Sequence, residues 1–424
     1  MKLSKDYLLT FITEFAVIVS SVLVYKLAAM TLAEEGFSQY ALCRRTISFI
    51  HPLLIVGLGV GIPRFVAFSS VDKSMRNPGS YFLSGLFIIL FFSTIFLVTI
   101  FFTRDIFSYL VFGDKKFSYL IPDLELMLLG IIIHSASYGY FRGKVMMIHA
   151  NLLQLINLSI LPLLVFLFFN TIEDILAVTG LLWIVISLIL FFAVLLKDSF
   201  KWSEIISCGK ELLNYGIQRV PGDVALGGFL ALPAYLTAHF VNDNLKTAGY
   251  VAFGMSLLNM AGAAFAPICL LLLPKVSKII AKNDFNLLKR QVNVITVWTI
   301  SITVLGLLII EFFAEPLIKI YLGAMYGDLA LSVRIIMTAS VGYTIYISLR
   351  SVLDAYYIRA VNTKNIFIVF IIFLIGVYIL WWVGFNYLYM LFIFVFSFSL
   401  LGFLTFFETK KIIRSNISTI LKTG

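Results

Sequence analysis

Long apolar runs separated by short polar segments make up most of the chain. A helix needs roughly 20 apolar residues to cross a hydrocarbon core of about 30 Å. The runs predict an all-α integral membrane protein of about twelve transmembrane helices, with short connections and with second and tenth helices long enough to tilt or bend. The predicted spans are residues 8–33, 38–68, 79–103, 119–141, 148–170, 175–197, 212–240, 247–274, 288–313, 329–357, 363–385 and 387–409.

A polar stretch around residues 197–210 divides these spans into two groups of six. We therefore predict two pseudo-symmetric six-helix bundles, over residues 1–200 and 201–424. Weak self-similarity supports the division, since Pro63-Arg64 closes the second helix of one half and Pro274-Lys275 closes that of the other. An even number of helices in each half makes these parallel repeats about an axis along the membrane normal.

Composition and charge agree with this topology. Hydrophobic residues are 61% of the chain and charged residues 13%, whereas a soluble domain is nearer half apolar and a quarter charged. With the N-terminus in the cytoplasm, the inside segments hold 22 of the 32 Lys and Arg residues and the outside loops hold five. This asymmetry follows the positive-inside rule and predicts that both termini are cytoplasmic. It also accounts for the net charge of +10 without nucleic acid.

Five basic residues remain inside apolar runs, where an ionisable group is costly unless it faces a watery cavity or a partner. One interpretation is that long side chains extend to the interface and keep their charged ends in water. The other is a cationic lining that binds pyrophosphate through charge-assisted hydrogen bonds. Because Arg44 and Arg45 are adjacent, they point about 100° apart on a helix, and at most one faces a given groove squarely. The five are Lys26, Arg44, Arg45, Arg219 and Arg334.

Acidic residues suggest a possible coupling site. Arg219 and Asp223 are one turn apart beside Pro221-Gly222, where proline is expected to bend the seventh helix. They form either a self-neutralising pair at a kink or a gate that opens. The repeat offset places Glu14 opposite Asp223, so these two carboxylates are candidates for binding a proton or Na⁺, or for gating.

No motif indicates catalysis. The glycines of residues 57–61 lack the spacing of a nucleotide-binding loop and are interpreted as small mid-helix residues that allow close packing. The sequence has no catalytic motif of the DxD, GxSxG or HExxH type. We therefore predict that the protein is not an enzyme and uses no cofactor and no metal.

Two stretches carry a resemblance to a known family. Residues 36–48, running on to Gly57-Leu-Gly-Val-Gly-Ile-Pro63-Arg64, and residues 350–365 resemble bacterial O-antigen flippases of the Wzx type. These belong to the polysaccharide-transporter branch of the superfamily that includes multidrug-extrusion pumps and lipid II flippases. In helix number, halves and size the resemblance covers essentially the whole chain.

The resemblance implies a function. Such proteins move undecaprenyl-pyrophosphate-linked sugar units outward across the bacterial inner membrane by alternating access, in some systems alongside polysaccharide polymerase machinery. Lys26, Arg44, Arg45 and Arg219 are the positions that could bind the pyrophosphate here. The chain is shorter than the fourteen-helix lipid II flippases, which argues against a peptidoglycan precursor.

Two alternatives are a cation-coupled multidrug exporter, which should have a more acidic cavity, and a membrane enzyme, which should carry a long periplasmic loop.

Overall fold

The protein is helical throughout the part of the chain that the computed structural model describes, which is residues 5–71, 76–195, 200–241, 244–281, 284–357 and 361–423. Within it are seventeen α-helices, short 3₁₀ and π segments, and no strand. The helices are α1 Lys5–Thr31, α2 Ala33–Ile55, α3 Leu58–Val71, α4 Pro78–Phe102, α5 Arg104–Phe112, α6 Ile121–Gly143, α7 Met147–Leu155, α8 Leu161–Phe168, α9 Ile172–Leu195, α10 Ile205–Gly216, α11 Val220–Phe240, α12 Asn244–Ala281, α13 Phe285–Tyr321, α14 Leu329–Thr338, α15 Ser340–Tyr356, α16 Val361–Val383 and α17 Tyr387–Thr423. Several basic residues of the predicted cytoplasmic set lie outside the described residues: Lys2, Lys73, Lys197, Lys282 and Arg359.

The described helices confirm a multi-pass membrane protein. Ten spans are long and apolar enough to cross a membrane, and two bent helix pairs raise the number to as many as twelve. The pairs are α2 with α3, bent by 44°, and α14 with α15, bent by 41°. They coincide with the second and tenth predicted spans, which were predicted to be long enough to tilt or bend.

The seventh predicted span differs from the prediction. Residues 212–240 are not one helix, because α10 ends at Gly216 and α11 begins at Val220. Pro221 stands in the first turn of α11, where its missing N–H would have had no partner in the helix. The expected proline kink inside a continuous helix is therefore wrong: Pro221 helps to start α11, and Arg219 lies in the turn before it.

The chain forms two compact units, Met1–Gly227 and Gly228–Gly424. In the first unit α6 packs along α9, and α10 packs against α3 and α4. In the second unit α15 packs against α12, α13 and α17, and Thr299 and Thr303 of α13 form hydrogen bonds with Ser348 and Thr344 of α15. Hydroxyl pairs of this kind hold helices together in lipid, where apolar contact alone provides little driving force. The predicted bundle boundary at residues 200 and 201 stays a prediction.

The break between α2 and α3 lies at Val56 and Gly57, whose φ angles of 53° and 68° are left-handed. A Cβ added at Gly57 would overlap the carbonyl oxygen of Gly216, and one added at Gly216 would overlap that of Val56. Two backbones therefore touch here, as only glycine allows. The prediction of close packing is confirmed, but Gly57 lies at a helix break rather than in the middle of a helix.

A π-helical turn, Ile156–Ile160, joins α7 to α8 within one span. Asn157 is buried in this turn, and its side-chain amide lies 2.9 Å from Ser187 Oγ and 3.2 Å from His134 Nδ1. The indole N–H of Trp183 donates to the backbone carbonyl of Asn157. The wider turn thus frees a carbonyl that a neighbouring helix satisfies.

Candidate functional site

Two cations lie where α1 meets α2, beside tyrosines rather than carboxylates. The half-buried Arg44 guanidinium is hydrogen-bonded to Tyr25, with Tyr40 as a further electrostatic neighbour. The Tyr25 and Tyr40 rings meet edge to face, with centroids 5.9 Å apart. Lys26 is the next residue on α1, half-buried, with no hydrogen bond or ion pair among the described residues. We call Tyr25, Lys26, Tyr40 and Arg44 the α1–α2 site.

Arg45 faces a different direction from Arg44. Its side chain is 2% exposed, packed inside the first unit. This is the divergence expected for consecutive residues of a helix. Arg45 is therefore more deeply buried than Arg44, its neighbour in sequence.

Two further arginines flank one tyrosine at the end of α10. The Arg219 guanidinium carbon lies 3.8 Å from the Tyr215 ring centroid, and Arg219 Nη1 donates to the Tyr215 carbonyl oxygen at 2.9 Å. The Arg64 guanidinium carbon lies 4.8 Å from the same centroid, and Arg64 Nη1 donates to the Tyr215 hydroxyl at 3.3 Å. A cation over an aromatic face is attracted by the ring quadrupole and keeps its full charge. We call Arg64, Tyr215 and Arg219 the Tyr215 site.

The predicted acidic residues, Glu14 and Asp223, differ in exposure and in neighbours. Among the described residues, Arg219 forms no ion pair with Asp223, which is exposed. The Arg219 side chain instead reaches Tyr215, whose carbonyl oxygen accepts a hydrogen bond from Arg219 Nη1 and whose ring faces the guanidinium. Glu14 is half-buried on α1 and has Tyr138 as an electrostatic neighbour. A shared coupling site for these two carboxylates stays a prediction.

The cations of these two sites differ from the cations that form ion pairs elsewhere in the described chain. None of Lys26, Arg44, Arg64 and Arg219 takes part in an ion pair between described residues. The ion pairs between described residues include Arg76–Glu211, Lys116–Asp114, Lys201–Glu204, Lys246–Asp328, Lys319–Glu315 and Lys411–Glu408.

The four cations predicted to bind pyrophosphate are divided between places. Lys26 and Arg44 belong to the α1–α2 site, Arg219 to the Tyr215 site, and Arg45 to the interior. Arg44 and Arg64 lie in opposite halves of the bent second span, Arg44 on α2 and Arg64 on α3, roughly 25–30 Å apart at 1.5 Å per residue with the bend included. Sequence reasoning missed Arg64, because the positive-inside rule alone already explained it.

Carboxylates of α10 and of the residue before it bind the N-terminal end of α4. Glu211 accepts hydrogen bonds from Arg76 and, at 2.6 Å, from the Tyr81 hydroxyl. Glu204 accepts the Asn77 N–H at 3.0 Å. Desolvation raises the pKa of Glu211, but the hydrogen bonds from Tyr81 and Arg76 outweigh it and leave this pKa below its ordinary value of 4.5. The N-terminal part of α10 is thus fixed by ionised carboxylates.

Metal ligation has no support from the described residues, since no group of three or more His, Cys, Asp or Glu side chains there is arranged to hold an ion.

Comparisons with known proteins address the fold. No family model matches the chain, and no curated protein sequence matches it. An inward-facing multidrug resistance transporter of the MATE family, in the MOP superfamily, aligns with a TM-score of 0.72 and 14% identity, over 96% of this chain and 99% of that one. The eukaryotic MATE transporter AtDTX14 aligns with a TM-score of 0.71 and 11% identity, over 98% of each chain.

The lipid II flippase MurJ, in an inward closed conformation, aligns with a TM-score of 0.69 and 13% identity, over 96% of this chain and 87% of that one. None of these comparisons confirms the predicted membership of the O-antigen branch. What they establish is architectural: the chain has the helical fold shared by MATE transporters and the MurJ flippase of the MOP superfamily.

Proposed function

We propose that this protein is a flippase that moves an undecaprenyl-pyrophosphate-linked oligosaccharide, such as an O-antigen unit, from the cytoplasmic to the periplasmic leaflet by alternating access. Its partners are then the lipid-linked glycan and the bilayer, with polysaccharide polymerase machinery as a further candidate. Two lines support the proposal. Lys26, Arg44 and Arg219 form no ion pair with another described residue, and the fold is shared with a flippase for a different lipid-linked precursor.

The pairing of the cations carries the argument. Lys26, Arg44, Arg64 and Arg219 have tyrosines or no polar partner among the described residues, whereas several other Lys and Arg side chains form ion pairs with carboxylates. Burying an unpaired phosphate charge in hydrocarbon is very costly. Guanidinium groups lower that cost because their planar N–H groups bind phosphate oxygens in pairs. A transporter of cations would need the opposite arrangement.

Energy for outward movement is available without chemistry. With the cytoplasm negative, each phosphate charge that moves outward gains roughly 2.3 kcal/mol per 100 mV. Coupling to a proton or Na⁺ at Glu14, or gating at Asp223, would add to this drive. Each carboxylate is tested by its own amide substitution, and unchanged flux in the double variant rules out coupling through either.

The test uses the full chain reconstituted in vesicles with a fluorescent undecaprenyl-pyrophosphate-linked oligosaccharide. We expect outward flux, and a loss of about tenfold or more for Arg44→Gln, as the loss of a charge-assisted hydrogen bond implies. Arg334→Gln is the matched control. It removes another half-buried membrane arginine, whose neighbour Glu315 marks a different role, and should alter flux by less than about a factor of two. Absence of flux from the native protein refutes the proposal.

A second candidate function is export of a small cationic compound. Glu14 favours it, because a half-buried carboxylate on α1 is the kind of group that a cation site needs. Efflux of a cationic dye that depends on Glu14, together with no flux of the lipid-linked oligosaccharide, would establish this alternative.

A further inference from the structure

We propose that the Tyr215 site is a separate docking station, at which the pyrophosphate group of a lipid-linked substrate binds before it reaches the α1–α2 site. This inference rests on the proposed function and specifies where the substrate is first held. The positive-inside distribution of basic residues assigns Arg64 to the cytoplasmic end of the second span, and hence the Tyr215 site to the cytoplasmic side.

The chemistry of the site fits a pyrophosphate. The guanidinium carbons of Arg64 and Arg219 lie 4.8 Å and 3.8 Å from the centroid of the same Tyr215 ring. The distance between these two carbons is therefore at most the sum of the two values. Each guanidinium carries five N–H groups, and one nitrogen of each, Arg64 Nη1 and Arg219 Nη1, is used by Tyr215. The remaining N–H groups are donors for phosphate oxygens. Because Tyr215 is not charged, it orients both arginines without cancelling their charge.

Access to the site matches an anion attached to an apolar chain. Arg64 is exposed, and Tyr215 and Arg219 are half-buried. Phe68, 55% exposed, lies beside the Arg64 guanidinium, and Ile217, 61% exposed, follows Tyr215 by two residues. An isoprenoid tail could pack on these apolar side chains while its pyrophosphate is bound by the two arginines. A free phosphate would gain nothing from them.

The site also contacts the part of the first unit where the second span bends. Gly216 directly follows Tyr215, and its backbone touches Val56 and Gly57. The bend separates Arg64 from Arg44 on the same span. Binding at Tyr215 therefore takes place next to the segment that lies between the two cationic sites.

The experiment measures binding of farnesyl pyrophosphate to the full chain in phosphatidylcholine nanodiscs. Arg64→Gln and Arg219→Gln should each weaken binding by about tenfold, as the loss of a charge-assisted hydrogen bond implies. Arg142→Gln is the matched control, because Arg142 is an exposed arginine that lies over a different tyrosine, Tyr138, at 5.5 Å. Its affinity should change by less than about a factor of two. If a glutamine variant does not fold, Arg64→Lys replaces it and should weaken binding less, since it keeps the charge but loses the fork.

Inorganic pyrophosphate and phosphatidylglycerol are the comparison ligands, and both should bind more weakly than farnesyl pyrophosphate. Equal affinity of the native, Arg64 and Arg219 proteins would overturn the inference, as would equal loss in Arg142→Gln, no binding to the native protein, or equally tight binding of either comparison ligand. Flux of the lipid-linked oligosaccharide is measured in the same variants. Native flux combined with unaffected binding in the arginine variants rejects the docking station alone, whereas no native flux rejects the proposed function.

Discussion

Helix α10 binds arginines in two different ways, one turn apart. Glu211 accepts a hydrogen bond from Arg76, with Tyr81 as a second donor. Four residues later, Tyr215 carries Arg219 over its ring and Arg64 near its hydroxyl. The carboxylate neutralises the arginine that it binds, whereas the ring orients arginines that keep their charge. The same helix therefore has a neutralised attachment at its middle and a cationic site at its end.

On the proposed function, this difference separates cations that hold helices together from cations that bind the substrate. A cation that only holds helices together gains from a carboxylate at close range. A cation that binds a passing anion must not already be neutralised, but its side chain must still be held in position. Phe65 links the two places, since its ring stacks on Tyr81 at 5.2 Å and meets Tyr215 edge to face at 5.7 Å. The rigid attachment thus supports the placement of the cationic site.

The largest effect is expected when Tyr215 is replaced by a carboxylate of the kind that Glu211 provides one turn earlier. Tyr215→Glu would place one carboxylate between Arg64 and Arg219, which would compete with phosphate for both guanidinium groups and cancel half of their combined charge. We expect flux of the lipid-linked oligosaccharide in vesicles to fall by roughly 100-fold, as the loss of two charge-assisted hydrogen bonds implies. Tyr215→Phe is the control, because it keeps the ring and loses only the hydroxyl. Undiminished flux in Tyr215→Glu would contradict the distinction between the two places.

An intermediate effect is expected where α10 ends against the bend of the second span. Gly216→Ala places a methyl group on the Val56 carbonyl oxygen, and overpacking of this kind costs about 1–3 kcal/mol. We expect a lower thermal unfolding temperature of the purified protein. Gly59→Ala is the control, since its Cβ would meet only Ile55 Cγ2, at an ordinary 3.6 Å. Equal unfolding temperatures for the two variants would show that the backbone contact has no role in stability.

The smallest effect is expected at the neutralised attachment. Glu211→Gln removes a part-exposed ion pair with Arg76, a class that contributes about 0.2–1 kcal/mol. Amides of α10 should then exchange hydrogen slightly faster at neutral pH.

The effect should depend on pH with a definite sign. Because the pKa of Glu211 is below 4.5 in the folded protein, its contribution is present above pH 4.5 and is lost as the pH falls through the lower folded value. The difference in exchange between native protein and Glu211→Gln should vanish in that acid range. A difference that persists there would mean that the carboxylate charge is not its cause.

Much of the fold follows from the apolar pattern, because lipid requires long continuous apolar helices. The second and tenth spans were predicted to be long enough to tilt or bend, and both bend. The pattern did not reveal the division of the seventh span at Ile217–Arg219. In a sequence, a proline that kinks a continuous helix looks the same as a proline in the first turn of a new helix. The two cases differ only in the conformation of the backbone before the proline.

The candidate site was predicted only in part. Charge at membrane depth identified Lys26, Arg44 and Arg219, because such residues need a special reason to be there. It could not separate Arg44 from its neighbour Arg45, since the burial of each depends on how α2 is rotated. Arg64 was overlooked because its role depends on Tyr215, about 150 residues away, and side-chain contacts over such separations leave no periodic signal in one sequence.

The π turn at Ile156–Ile160 has a consequence for how the length of this helix can change. A turn closed by i→i+5 bonds holds one residue more than an α-helical turn. Deleting one residue inside it would restore regular winding and leave the flanking segments facing as before, whereas a deletion elsewhere in the span would rotate one segment by about 100°. Relatives of this protein should therefore gain or lose single residues at this turn, and those that lose one should also lose the indole donor opposite, Trp183.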